Sequence, residues 1–193
     1  MQHMKKNIPI SLLLMLIGLF SYAQTEINEL LWNKNDADFK IEIKTKINLQ
    51  WEINSEICFY RNNQLILQDS IIVNRFETRF DDFNADANDD LLVFQGSGAR
   101  PNEMFNLYLY QPKTNDYKKV IGFNDHPNVS VTDKKRILSS MILAGEVSYE
   151  FFVINDDAEL IDLKIKVTDE NLDGKEYDSG LLKAQKYVAQ QRI

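Results

Sequence analysis

The sequence predicts an all-β protein, an antiparallel sheet assembly with little helix. Three observations carry the prediction. Apolar and polar residues alternate with a period of two along several short runs. At least eight such runs recur along the chain, roughly 8 to 15 residues apart and separated by turn-forming residues. Helix-compatible composition is confined to two short stretches, 26–32 and 181–191, and either reads equally well as a strand or a frayed end. With 44% of 193 residues apolar, the chain has ample material for one core.

In chain order, Phe39, Ile41 and Ile43 alternate with charged residues, as in a half-buried strand. Two apolar runs, 57–60 and 65–67, flank Arg61-Asn62-Asn63-Gln64, which reads as a hairpin connection. Strand-like stretches 78–80 and 91–94 bracket an acidic loop. Phe105, Leu107 and Leu109 alternate with Asn106, Tyr108 and Tyr110 before the turn-rich stretch 111–116, and 117–121 resumes the pattern. Runs 136–143, 147–154 and 160–167 follow, divided by Ala144-Gly145 and by Asn155-Asp156-Asp157.

The first residues read as an address. Lys5 and Lys6 precede an apolar run of about 13 residues, and Ser21-Tyr22-Ala23 supplies a small–x–small end. Such a run is shorter than the roughly 20 residues a spanning helix needs, so it predicts a cleaved secretory signal over 1–23 rather than stable membrane insertion. Residues 24–193 then form a single β-rich domain, periplasmic or secreted. Cleavage removes Lys5 and Lys6 and no acid, taking the net charge from −7 to −9. A surface of that sign disfavours nucleic acid and anionic lipid and favours cations or basic proteins. One cysteine, Cys58, excludes an internal disulfide, and its apolar surroundings predict a buried, inert thiol.

Asp81, Asp82, Asp86, Asp89 and Asp90 place five carboxylates within ten residues. Close like charges repel by about 1 kcal/mol a pair even when screened, and a hard cation offsets that. Alternate positions aim the oxygens of Asp82, Asn84, Asp86, Asn88 (through its backbone carbonyl) and Asp90 at one centre, a candidate Ca2+ site. The other reading is a solvated acidic turn with Asx capping. Ala87 at position 6 and Val93 at position 12 exclude an EF-hand. A second stretch, Asp169-Glu170-Asn171-Leu172-Asp173-Gly174, has Tyr177 at its ninth position and reads as a plain Asp-Gly turn.

The spacing of Asp82, Asn84, Asp86, Asp90 and Leu91 resembles the strand–loop–strand calcium loop of FG-GAP and integrin-type propeller repeats, with Ala87 in place of their glycine. A glycine loop follows (Gly96, Gly98, Arg100, Glu103), then Leu107-Tyr108-Leu109-Tyr110, Gln111-Pro112-Lys113-Thr114 and an aromatic strand at 149–154. This order, over roughly residues 76 to 168, is similar to periplasmic propeller-like immunity proteins that inhibit lysozyme-like toxins of bacterial type IV secretion. The resemblance implies a small propeller-like or sandwich-like fold, bound calcium, no catalysis, and a loop pushed into the cleft of a peptidoglycan hydrolase.

Three functions follow. The first is a binding protein that inhibits a basic lysozyme-like hydrolase, with Gly98, Arg100 and Glu103 on the docking loop; that loop reads equally as a connector. The second is a glycan hydrolase built on a carboxylate pair, for which no nucleophile motif argues, although Cys58 and His126 are present. The third is a glycan-binding surface module with Tyr108, Tyr110 and Tyr149 as an aromatic platform.

Overall fold

The computed structural model describes residues 25–34, 37–46, 52–98, 100–134 and 136–191. The signal-peptide reading of 1–23 lies outside them. The described residues form three four-stranded antiparallel meanders, each with its strands in chain order. The first contains β1 (Thr25–Lys34), β2 (Ala37–Lys46), β3 (Ser55–Arg61) and β4 (Gln64–Ile71). The second contains β5 (Thr78–Asp81), β6 (Asp90–Ser97), β7 (Glu103–Gln111) and β8 (Asp116–Lys119). The third contains β9 (Val129–Val131), β10 (Leu138–Leu143), β11 (Val147–Ile154) and β12 (Leu160–Asp169). A helix, α1 (Lys175–Gln191), follows. The all-β prediction therefore holds. The stretch 26–32 is strand, and 181–191 belongs to α1.

Three apolar layers order these elements. Phe39, Ile41, Ile43, Ile57 and Phe59 of the first sheet meet Leu91, Val93, Tyr108, Tyr110 and Tyr117 of the second. Phe59 stacks on Tyr117 at 5.1 Å between centroids, and Phe39 stands edge-on to Tyr110 at 6.1 Å. The opposite face of the second sheet, with Leu92, Phe94, Phe105, Leu107 and Leu109, packs on Val129, Leu138 and Phe152 of the third. The far face of the third sheet, with Phe151, Val153 and Leu163, receives Leu181 and Ala184 of α1. The order is sheet, sheet, sheet, helix.

This explains the sequence of the middle sheet. A strand covered on both faces reads as a near-continuous apolar run, and Leu91 to Phe94 and Phe105 to Tyr110 are buried throughout, the polar Asn106 among them. Fully burying each large side chain contributes about 1.5–3 kcal/mol. The stacked tyrosines Tyr108 and Tyr110 are thus core residues, which removes them as an exposed aromatic platform. Tyr149 packs on Tyr177, with centroids 4.8 Å apart.

Polar contacts set how the first two sheets meet. The Tyr108 hydroxyl donates to Asp69 Oδ2 at 2.9 Å, and Lys119 Nζ donates to the same oxygen at 2.7 Å. The β3–β4 hairpin turns on Asn62 and Asn63, both in the left-handed region (φ 49° and 62°), as a two-residue asparagine turn requires. No described helix is long and apolar enough to cross a membrane.

Candidate functional site

The acidic loop lies between the edge strand β5 and the buried strand β6. Asp82 opens it, and its Oδ1 and Oδ2 accept the backbone N–H groups of Asp86 (3.1 Å) and Ala87 (2.9 Å). Asn84 Oδ1 also accepts the N–H of Asp86, and Asp86 Oδ1 accepts that of Asn88 at 2.8 Å. The chain is thereby wound around its own side-chain oxygens. The winding needs positive φ at Ala85 (59°) and Ala87 (66°), a conformation a Cβ disfavours, and the loop adopts it without glycine.

Asp90 closes the loop and is fully buried. Its Oδ2 accepts from the N–H of Phe83 and its Oδ1 from the N–H of Tyr110, each at 2.9 Å. Burial pushes the Asp90 carboxyl up to about 7; the two N–H groups pull it down, and the nearby Asp86 and Asp82 push it further up. Each carboxylate oxygen has two lone pairs, and the backbone takes one at each bonded oxygen. Lone pairs remain on these oxygens, but among the described residues the carboxylates of Asp82, Asp86 and Asp90 do not gather within 4.8 Å of one another as the spacing predicts; the trio that does lies in the second acidic stretch.

The second acidic stretch folds in the same way. Asp169 accepts the N–H groups of Asp173 (3.2 Å) and Gly174 (2.9 Å), and Asp173 Oδ1 accepts that of Lys175 at 3.1 Å. Leu172 (φ 55°) and Gly174 (φ 79°) repeat the positive φ of Ala85 and Ala87. This is more than the plain turn the sequence suggests. Asp169, Asp173 and Glu176 bring one carboxylate oxygen each within 4.8 Å of one another. Gly174, with φ 79°, precedes the first helical residue and its carbonyl accepts the N–H of Asp178, while Asp173 one residue earlier accepts the N–H of Lys175.

The docking loop joins β6 to β7. Gly98 and Arg100 are exposed, and Glu103, at the start of β7, lies 3.3 Å from Arg75. The Gly98 N–H donates to the carbonyl of Asn102, and the Asn102 N–H to that of Arg100. Asn102 reaches the end of β10, where its Nδ2 donates to the carbonyl of Leu143 and its Oδ1 accepts the N–H of Leu143, each at 2.9 Å. Asn128 holds the same place from the other side, accepting the N–H of Glu103 (3.0 Å) and donating to the carbonyl of Met141 (2.9 Å). Composition pointed to glycine, Arg100 and Glu103; the asparagines that anchor them were not singled out.

Cys58 is buried, and burial pushes its thiol above the ordinary range. His126 lies tilted against Phe152, with ring centroids 4.4 Å apart, and its Nδ1 is 3.5 Å from a Glu150 oxygen. Cys58 lies on the first sheet and His126 just ahead of the third. A scan against protein-family models, a search of curated proteins and a search of solved structures each found no match.

Proposed function

We propose that this chain is an exported, calcium-stabilised binding protein that acts by docking a protein partner rather than by catalysis. The partner class is a basic lysozyme-like hydrolase, to which a surface of net charge −9 after signal cleavage is complementary. Asp82, Asn84, Asp86, Asn88 and Asp90 hold the ion, and Gly98, Arg100 and Glu103 face the partner. The observation that carries the calcium reading is the burial of Asp90 beside Asp82 and Asp86, which makes its ionisation costly unless a cation compensates. The second loop, wound the same way, supports it. Calcium in this loop holds β5, β6 and the end of β7 in register; the chain's own residues present the docking surface.

The test is thermal unfolding of residues 24–193 with added calcium or with chelator, on wild type and Asp86→Ala. Calcium is expected to raise the melting temperature of the wild type and leave the variant unmoved. An equal gain in both, or no gain in the wild type, refutes calcium binding at this loop. Inhibition assays against a panel of lysozymes and secreted hydrolases test the partner class separately, and uniform absence of binding removes it.

A further inference from the structure

We propose that the junction of β12 and α1 is a second cation site, built on Asp169, Asp173 and Glu176, which takes calcium and latches the helix onto the third sheet. It is separate from an ion at 82–90 and does not depend on the docking reading.

Three carboxylates converge there from two elements. Asp169 ends β12, Asp173 lies in the connection, and Glu176 is the second residue of α1. One oxygen of each lies within 4.8 Å of the other two. Asp169 is 3% exposed, and each of its oxygens accepts one backbone N–H, from Asp173 and Gly174. An oxygen that accepts one bond keeps a lone pair.

Glu176 points independently to a ligand. Its Oε2 is buried and has no hydrogen-bond partner among the described residues. A buried carboxylate oxygen without a partner is costly, and two neighbouring carboxylates add repulsion. Either a proton shared between carboxyl groups or a cation relieves this. A shared proton would join Oε2 to a neighbouring carboxyl by a hydrogen bond, and Oε2 makes none. Lys175 Nζ pairs with Asp173 Oδ2, but its side chain is 81% exposed and it makes no ion pair with Asp169 or Glu176.

The residues suit calcium, which takes oxygen ligands and lets water complete its shell. Counting from Asp169, oxygen-bearing residues fall at the first, third and fifth positions (Asp169, Asn171, Asp173). Glycine follows at the sixth (Gly174, φ 79°), the opening half of a calcium loop. Tyr177 and Gly180, at the ninth and twelfth, lack the later ligands, and Glu176 supplies a carboxylate from the helix instead. Few ligands and a competing lysine give a weak site, with Kd about 1 mM. Next to Glu176, Tyr177 packs on Tyr149 and Phe151 (4.8 and 5.7 Å between centroids), and Leu181 and Ala184 follow into the same apolar layer. An ion shared by Asp169 and Glu176 therefore ties the first turn of α1 to the end of β12.

NMR titration of residues 24–193 with calcium at constant ionic strength tests the site, in Asp86→Ala, which removes a ligand of the first loop, and in Asp86→Ala with Glu176→Gln. Amides of 169–178 are expected to shift saturably in Asp86→Ala, with binding at least tenfold weaker once Glu176→Gln is added. No saturable shift there, or unchanged affinity with Glu176→Gln, overturns the site. If Asp86→Ala does not fold, Glu176→Gln alone is compared with wild type at the same amides. Hydrogen exchange reads the latch: saturating calcium is expected to slow amides 175–180 about fivefold in Asp86→Ala and to leave them unchanged when Glu176→Gln is added. Equal slowing in both, or none, overturns the latch. Melts that test the first loop use about 50 μM calcium, far below what fills this site, so the failure of one site is read apart from the failure of the other.

Discussion

The carboxylate of Asp90 is bonded to the backbone N–H of Tyr110, 2.9 Å away, so the last residue of the acidic loop is fastened to the far end of the neighbouring strand. The same side chain accepts the N–H of Phe83 inside the loop. One buried carboxylate thus joins loop, β6 and β7, and its ionisation state is felt by all three.

This gives a pH dependence of definite sign. Burial raises the Asp90 carboxyl from an ordinary value near 3.8 to about 7 in the folded chain. A raised acid favours folding while it stays protonated, so its stabilisation is complete below the unfolded value and is lost as pH rises through about 7. In chelator, unfolding free energy should therefore fall between pH 4 and 8 by roughly 2–4 kcal/mol from this group. Calcium opposes the fall because it binds the ionised form, so the calcium-induced gain should grow across the same window. Urea midpoints at pH 5, 6, 7 and 8, with and without calcium, measure both trends; a gain independent of pH excludes Asp90 as a ligand.

Gly180 lies in the interior of α1, where glycine is ordinarily about 1 kcal/mol worse than alanine. A Cβ there would stand 2.6 Å from Cε2 of Phe151 and 3.1 Å from Cγ2 of Val167. Close approach of helix to sheet outweighs propensity. Gly180→Ala is expected to destabilise by about 1–3 kcal/mol through overpacking, despite its better helix propensity. Equilibrium urea unfolding settles the sign, and a more stable variant would mean that α1 can move away from β11 at no cost.

Asp173 accepts the N–H of Lys175, the first residue of α1, and also belongs to the carboxylate cluster with Asp169 and Glu176. Asp173→Ala should lower stability by about 1 kcal/mol in chelator, and Asp173→Ser should restore most of it by capping the same N–H. Thermal melts of the three proteins distinguish capping from mere repulsion: if charge repulsion dominated, the alanine variant would be the more stable.

Much of the fold was legible from local pattern. The period-two runs marked most strands, the asparagine pair at 62–63 marked a hairpin, and spacing alone singled out Asp82 through Asp90. What escaped had non-local causes. Tyr108 and Tyr110 read as one polar-edged face of a half-exposed strand, yet both are buried because another sheet covers each side of β7. Glu176 was missed because its partner Asp169 sits on β12, and the helix that brings it back has a polar outer face. Asn102 and Asn128 carry no pattern of their own; their importance comes from Leu143 and Met141, far along the chain.

By itself the sequence determined the elements: alternation specifies which side of a strand is apolar, and the positions of aspartate, asparagine and glycine specify where the chain turns and how a loop winds on its own oxygens. Only the tertiary structure decided the stacking order of the sheets, the burial of Asp90 and the fastening of the β6–β7 connection to β10 by asparagine. The physical reason is that burial and side-chain pairing across sheets depend on which faces meet, and that is settled by long-range packing that no local periodicity encodes.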